Sequence, residues 1–287
     1  MFTVIYNPVA GKARSKRLLP KLLAELVRRK IDYRVLETAF PPDKQYYSDV
    51  PCGPEDTVCI VGGDGTVLEV LNHLPALGFH LISVPCGTGN DFLKCVKLPK
   101  DPVKALRQQL DGQTRPLDYA TASGELFLNV FGVGFDVDVL KKLYQFKKKH
   151  TGIKAYLLAL VKAVKEYQPT HCKISVDGST FRDCTCSILS VGNGQFIGGG
   201  MKAVPSGDPF DGLLNVVEVR PVKKWQLLIL LPSFIFGFHI KLGLARTYSC
   251  KSVTLLQTDL GYEIDGEVRS ADRIDIRVQS GPLRFCR

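Results

Sequence analysis

CIVGGDGTVLEVLNHL, from Cys59 to Leu74, interrupts an apolar run with three glycines and an aspartate, then resumes at helical spacing. Cys59, Ile60 and Val61 close a β-branched run of the kind that fills a buried strand. Val67, Leu68, Val70, Leu71 and Leu74 recur at three- and four-residue steps, one face of a helix. Gly62, Gly63, Asp64 and Gly65 therefore form a strand-to-helix turn. The free N–H groups and positive dipole end of a helix start are a natural seat for phosphate. Asp64 would repel phosphate unless a cation sat between them, so the turn points to a nucleotide held with Mg²⁺. The plainer reading is a Gly-rich turn whose aspartate caps the helix.

The alternation extends outward from this turn. FTVIY, YRVLET, DTVCIV and HLISVP read as strands. A helix with Leu18, Leu19, Leu22, Leu23, Leu26 and Val27 on one side follows the first, and another covers Val103 to Leu110. This pattern predicts a doubly wound α/β domain with a parallel sheet, whose ligands gather beyond the carboxyl ends of the strands. Three special loops follow strands: NPVAGK (Asn7 to Lys12), GGDGT (Gly62 to Thr66) and PCGTGND (Pro85 to Asp91). All three are expected at one sheet edge. After Thr114 the texture turns to hairpins, with turns at Ser123-Gly124 and Asp177-Gly178. The expected organisation is an α/β nucleotide domain over residues 1–115 and an antiparallel β-sandwich over 116–287.

The net charge of +10 points to an anionic partner. Eight Lys or Arg stand between Lys12 and Lys30 against one acid, Glu25, and KKLYQFKKKH (Lys141 to His150) adds five lysines. Such runs form solvated helix faces or adhere to anionic lipid. No nucleic-acid-binding signature appears. The N-terminus enters a strand at once, so no signal peptide is expected. Nine cysteines without a CxxC pair read as reduced thiols filling a core in a cytosolic protein. WQLLILLPSFIFGFHI (Trp225 to Ile240) is short for a bilayer span and holds Pro232 and Gly237. A buried helix is expected there, with an interfacial membrane-contacting element as the sharper alternative.

In PCGTGND, Gly87 and Gly89 allow close backbone approach, while Thr88, Asn90 and Asp91 offer a hydroxyl, an amide and a second carboxylate. In NPVAGK, Asn7, Gly11 and Lys12 could line a phosphate. YEIDGE places Glu263, Asp265 and Glu267 at alternate positions, so an extended segment would turn all three acids to one side. Such a cluster suits general-base chemistry; a solvated hairpin tip is the plainer reading.

The ordered set NPVAGK, GGDGTVLEVLN, PCGTGNDF, GVGFDVDV, GNGQFIGGGMKAVPSGDPFDGLL and EIDGE resembles the soluble diacylglycerol kinases, bacterial lipid kinases more distantly related to sphingosine kinases. The resemblance spans Asn7 to Glu267. It implies a Rossmann-like nucleotide domain, a β-sandwich domain and an active site in the cleft between. By resemblance, the ATP phosphates lie on Asn7, Pro8, Val9, Ala10 and Gly11, on Gly63, Asp64, Gly65, Thr66 and Glu69, and on Thr88. Thr38 lies near the nucleotide, and Lys12 offsets phosphate charge. Asp64, Asp91 and Glu267 match an acidic network around catalytic Mg²⁺, and Asp265 matches the general base. A separate structural Mg²⁺ maps to Asp211, with Asp208 and Leu213 contributing. The chain departs from the family at Leu68, where Asn is common, and at Phe210-Asp211, where a doubled acid is usual. The implied enzyme is an ATP- and Mg²⁺-dependent lipid kinase, cytoplasmic and peripheral to the inner face of the membrane. Its acceptor is diacylglycerol or a related lipid, and a homodimer is left open. NAD kinase, which shares GGDGT, and a non-catalytic regulator on the same fold are the alternatives.

Overall fold

The computed structural model describes residues 1–147, 150 and 152–287; Lys148 and Lys149 of the basic run lie outside the described residues. The chain forms two compact units. One comprises Met1–Tyr119, Pro209–Gly212 and Gln279–Arg287; the other comprises Ala120–Asp208 and Leu213–Val278. The two short late segments are bound into the first unit by identifiable contacts. The Phe210 ring lies under the guanidinium groups of Arg115 and Arg287, at 5.0 and 5.9 Å. Phe285 pairs beside Leu81 and meets Phe92 edge-on at 5.4 Å.

The first unit runs β1 (Phe2–Tyr6), α1 (Ala10–Arg28), β2 (Tyr33–Glu37), β3 (Thr57–Gly62), α2 (Asp64–His73), β4 (His80–Pro85), α3 (Asp91–Cys95) and α4 (Pro102–Asp111). Its strands lie in the order β4-β3-β1-β2, all parallel, with Val4 beside Cys59 and Ile60 beside Ser83. The β-branched runs make β1, β3 and β4, which are buried on both faces, while β2 at the sheet edge is partly exposed. Val4, Cys59, Val61, Ile82 and Val84 pack with Leu22, Leu26 and Leu106 from the helices. Burial of each such side chain contributes about 1.5–3 kcal/mol. Val27 falls off the expected apolar face of α1 and is exposed.

The second unit takes the end of β5 (Thr114–Ala122) and then β6 (Glu125–Phe127), β7 (Val130–Gly134), α5 (Phe135–Lys147), α6 (Gly152–Glu166), β8 (Thr170–Val176), β9 (Arg182–Cys186), β10 (Ile188–Gly192), β11 (Phe196–Ile197), β12 (Met201–Lys202), β13 (Leu214–Val219), α7 (Lys224–Phe236), β14 (Ala245–Cys250), β15 (Ser252–Ile264) and most of β16 (Glu267–Cys286). Pairing within it is antiparallel, in the order β14-β13-β10-β7-β15-β16, with β8 against the start of β15 and β9 against β8. The architecture is thus an α/β unit and a β-sandwich-like unit.

Three expectations are corrected. The second limb of the Ser123-Gly124 hairpin, GELFLNVFGVG, is two strands and not one, because the backbone at Leu128 and Asn129 turns its N–H groups to the carboxylate of Asp265. YEIDGE is not extended: Ile264 pairs with Glu267, and Asp265 and Gly266, with φ of 46° and 95°, form the two-residue turn of a hairpin. Glu263, Asp265 and Glu267 therefore do not share one side. The Trp225 helix is only half buried. Leu227, Leu230 and Phe234 pack inward, while Trp225, Leu228, Ile229, Ile235 and Phe236 are exposed. Among the described residues no helix is long and apolar enough to cross a membrane. All nine cysteines are free, and all but Cys52 are buried.

Candidate active site

The three loops at the ends of β1, β3 and β4 interlock. Gly11 has a left-handed backbone (φ 59°), and a Cβ there would stand 1.9 Å from the Cys86 carbonyl oxygen, so only glycine fits. The first and third loops meet at that point. A Cβ on Gly87 would stand 2.6 Å from the Cα of Gly63, which brings the second and third loops together backbone to backbone. Gly62 O accepts from Cys86 N at 2.7 Å and Gly87 N at 3.2 Å. Asn7 Nδ2 donates to Thr66 Oγ1 at 3.2 Å, tying the first loop to the second. Asn90, left-handed at φ 51°, accepts from Gly87 N at 3.1 Å and donates to Gly87 O at 2.9 Å. Its amide thus braces its own loop.

At the start of α2, Gly63 is the N-cap and supplies no side-chain cap, and a Cβ on Gly65 would meet nothing within 4 Å. A helix start with open space in front of it can receive an anion. Val9, Lys12, Gly65 and Thr88 are exposed around these loops; Pro8 and Ala10 are half-buried. Residues 11–13 all have left-handed backbone, which breaks α1 and presents Lys12 to solvent.

Asp64 and Asp91 come together here. Asp64 Oδ1 accepts from Phe92 N at 3.1 Å, so it caps the helix that Asp91 begins. Burial raises the Asp64 pKa, backbone N–H groups of Asp91 and Phe92 pull it down, and the charge of Asp91 raises it further. Asp91 is itself buried and pairs with Lys94 at 2.9 Å. Two neighbouring carboxylates, each a hard oxygen donor, fit Mg²⁺, which takes one or two protein carboxylates and fills its shell with water and phosphate oxygens. Among the described residues no group of three or more His, Cys, Asp or Glu converges as a ready-made metal site. Glu69 and Thr38 are reached indirectly. The Tyr47 hydroxyl is bonded to Glu69 and accepts from Ala39 N at 3.1 Å, immediately after Thr38.

In the second unit, Asp265 Oδ2 accepts from Leu128 N at 3.1 Å and Asn129 N at 3.3 Å, and Oδ1 accepts from Val130 N at 2.9 Å. Its own N–H donates back to Val130 O. Glu267 is exposed and pairs with Arg269 at 3.0 Å. Asp177-Gly178 makes the same kind of turn, and Asp177 Oδ1 alone accepts from Lys251 N and Ser252 N, both at 2.8 Å.

Asp208 and Asp211 expose their side chains, and Leu213 is half-buried. Gly212 N donates to Asp118 Oδ2 at 2.7 Å, and Asp118 N donates to Pro209 O at 2.8 Å. Asp118 is a buried acid that sequence reading passed over inside RPLDYAT. Phe210, standing where the family usually has an acid, is the ring that Arg115 and Arg287 cover. A cation at Asp211 would need backbone oxygens and water as well as these carboxylates. Sequence reasoning also misses Asp136, within GVGFDVDV. Its signal was an acid beside two glycines at a strand-to-helix junction.

Residues 1–122 match the diacylglycerol kinase catalytic domain, and residues 129–287 match the YegS C-terminal NAD kinase beta sandwich-like domain. A diacylglycerol kinase of Mycobacterium tuberculosis (strain ATCC 25618 / H37Rv) is 26% identical over 272 residues, covering 92% of this chain and 88% of its own. The crystal structure of a diacylglycerol kinase from Bacillus anthracis str. Sterne aligns with a TM-score of 0.77 at 25% identity, over 99% of this chain and 96% of that one. An NAD kinase from Archaeoglobus fulgidus, solved in complex with ATP, shares the fold at a TM-score of 0.53 and 13% identity, over 100% of this chain and 94% of that one.

Proposed function

The chain belongs to the diacylglycerol kinase family of lipid kinases, and from that premise we propose that it transfers the γ-phosphate of ATP to a lipid hydroxyl. Diacylglycerol or a related membrane lipid is the proposed acceptor, and Mg²⁺ the proposed cofactor. The observation that carries this reading is the interlock of three glycine loops at the ends of adjacent parallel strands, with Asp64 and Asp91 at two helix starts beside them.

The roles follow from phosphoryl-transfer chemistry, which needs positioning and charge neutralisation more than covalent help. Asn7 to Gly11, Gly63 to Thr66, Glu69 and Thr88 cradle the triphosphate, with Thr38 beside the nucleotide. The N–H groups at the start of α2 point to phosphate oxygens, and Lys12 contributes positive charge. Asp64 and Asp91 would hold Mg²⁺, which when bound would neutralise the charge of the transferred group, and Glu267 is the further acid proposed for that metal. Asp265 accepts the proton of the acceptor hydroxyl. Oδ1, which takes only Val130 of the three backbone donors, is the oxygen assigned to that proton. Asp211, with Asp208 and Leu213, is the proposed place of a second, structural Mg²⁺. Residues 1–115 are the proposed nucleotide half and residues 116–287 the proposed acceptor half. The net charge of +10 favours an anionic bilayer as the surface where the acceptor is met, at the cytoplasmic face of the membrane.

Asp64→Ala tests the reading. Asp64 lies on a phosphate-and-metal turn and not in the apolar core, so turnover should disappear while the fold persists. Full activity in that variant would reduce Asp64 to a helix cap.

A further inference from the structure

Gly132 lies in the middle of β7, paired with Ser190 on β10 and with Glu263 on β15. A Cβ on Gly132 would stand 2.1 Å from Asp136 Oδ2 and 2.8 Å from Glu263 Oε1, so two carboxyl oxygens crowd one point above a glycine. Both oxygens are buried, and neither has a hydrogen-bond partner among the described residues. The other oxygen of each group is committed. Glu263 Oε2 accepts from Gly266 N at 2.6 Å, and Asp136 Oδ1 accepts from Val137 N at 2.9 Å.

Two ionised carboxylates cannot share such a place without a proton or a cation between them. Both oxygens are buried away from water, so a cation there would find no water to complete its shell, which leaves the proton. Asp136 stands in the first turn of α5, where the helix dipole favours an anion, so the proton belongs on Glu263. Burial, followed by the charge of Asp136, pushes the Glu263 carboxyl well above the carboxylate range. Burial raises Asp136 as well, and the charge of Asp138 adds to it. Other charged or titratable groups on the surrounding elements are Lys141, Lys142, Tyr144 and Lys147 on α5, Asp259 and Tyr262 on β15, Asp265 in the turn, and Glu267, Arg269 and the charges beyond them on β16. None of them donates to either orphan oxygen. Tyr144 instead donates from its hydroxyl to Gly266 O at 3.0 Å.

We propose that Glu263 is a protonated positioning residue, whose Oε1–H donates to Asp136 Oδ2 while Oε2 anchors Gly266 N–H, fixing the turn that carries Asp265. A carboxylic acid suits both contacts, since it offers one donor and one acceptor. The functional half of this inference rests on the reading of Asp265 as the base; the proton itself does not.

Glu263→Gln keeps that donor–acceptor pair permanently, and Glu263→Ala removes it. Turnover of Glu263→Gln should stay within about threefold of wild type near neutral pH. Wild-type kcat should fall on the alkaline side, as the shared proton leaves and two buried charges face each other, and this fall should be absent in Glu263→Gln. Glu263→Ala should lose about 10- to 100-fold in kcat with KM for ATP unchanged, the scale of a misplaced catalytic group. Infrared difference spectroscopy of the whole protein, which needs no turnover, should show a protonated-carboxyl band in wild type at neutral pH that is missing from Glu263→Gln. Absence of that band in wild type would overturn the shared proton whatever the kinetics. The band together with unaltered kcat in Glu263→Ala would overturn the positioning role, while leaving the base assignment of Asp265 to its own test. If Glu263→Ala does not fold, loss of turnover in Glu263→Gln at every pH overturns the proposal equally.

Discussion

Asp265→Asn is the most informative single change, because its stability effect and its chemical effect separate. The carboxylate uses both oxygens, two backbone donors on Oδ2 and one on Oδ1. An amide has one oxygen. Whichever way it is turned, its NH₂ faces at least one backbone N–H that it cannot satisfy, and either Val130 N or the Leu128 and Asn129 pair loses its acceptor. A hydrogen bond to a charged group contributes about 1.5–3 kcal/mol, so the expected destabilisation is about 2–4 kcal/mol. For a chain of this size that lowers Tm by about 4–8 °C. Asp177→Asn is the matched control: the same turn, but both backbone donors fall on one oxygen, which the amide retains. Its stability should change by less than about 0.5 kcal/mol. Turnover measured well below both transitions then isolates the chemistry, where loss of a general base costs about 10²- to 10⁴-fold. Equal Tm losses in the two variants would refute the two-oxygen argument. A lowered Tm with undiminished turnover would mean that Asp265 only knots strands together.

The glycine loops give a second contrast: Gly87→Ala should disturb fold and nucleotide binding together, since its Cβ meets backbone at 2.6 Å. Gly65→Ala has open space and should leave Tm almost unchanged while weakening ATP binding, read by calorimetry; unchanged affinity would remove phosphate from the start of α2. Membrane adhesion should strengthen on anionic vesicles and weaken with salt, as the clustered charge requires. Trp225, the only tryptophan and exposed on α7, should report contact by fluorescence. Equal binding to neutral and anionic vesicles would remove the electrostatic contribution.

The parallel unit was legible because each of its signals is local. A β-branched run, a glycine turn and a helical repeat sit within one stretch of chain, and their order alone places NPVAGK, GGDGT and PCGTGND at neighbouring strand ends. Asp64 could be singled out for the same reason. What could not be read depends on partners far along the chain. Asp265 looked like a member of an acidic row because nothing nearby reveals that Leu128, Asn129 and Val130 turn their N–H groups toward it. The break after Phe127 is the same event seen from the other strand. Asp136 carried no mark of its own, since its neighbour Glu263 arrives from the other end of the second unit. The basic run Lys12 to Lys30 reads as a solvated or lipid-facing helix face, yet Arg28 and Arg29 are engaged by Glu25, and Arg29 also by Asp111. The Trp225 helix misled because its composition is apolar all round, and only tertiary packing decides which face is covered.

The central claim is transfer of phosphate from ATP to a lipid hydroxyl. The direct measurement is incubation with γ-labelled ATP and Mg²⁺ over a panel of membrane lipids, diacylglycerol among them, with NAD as a parallel acceptor. The account predicts label in the lipid fraction that depends on Mg²⁺ and is lost in Asp64→Ala. Label on NAD and on no lipid would contradict it.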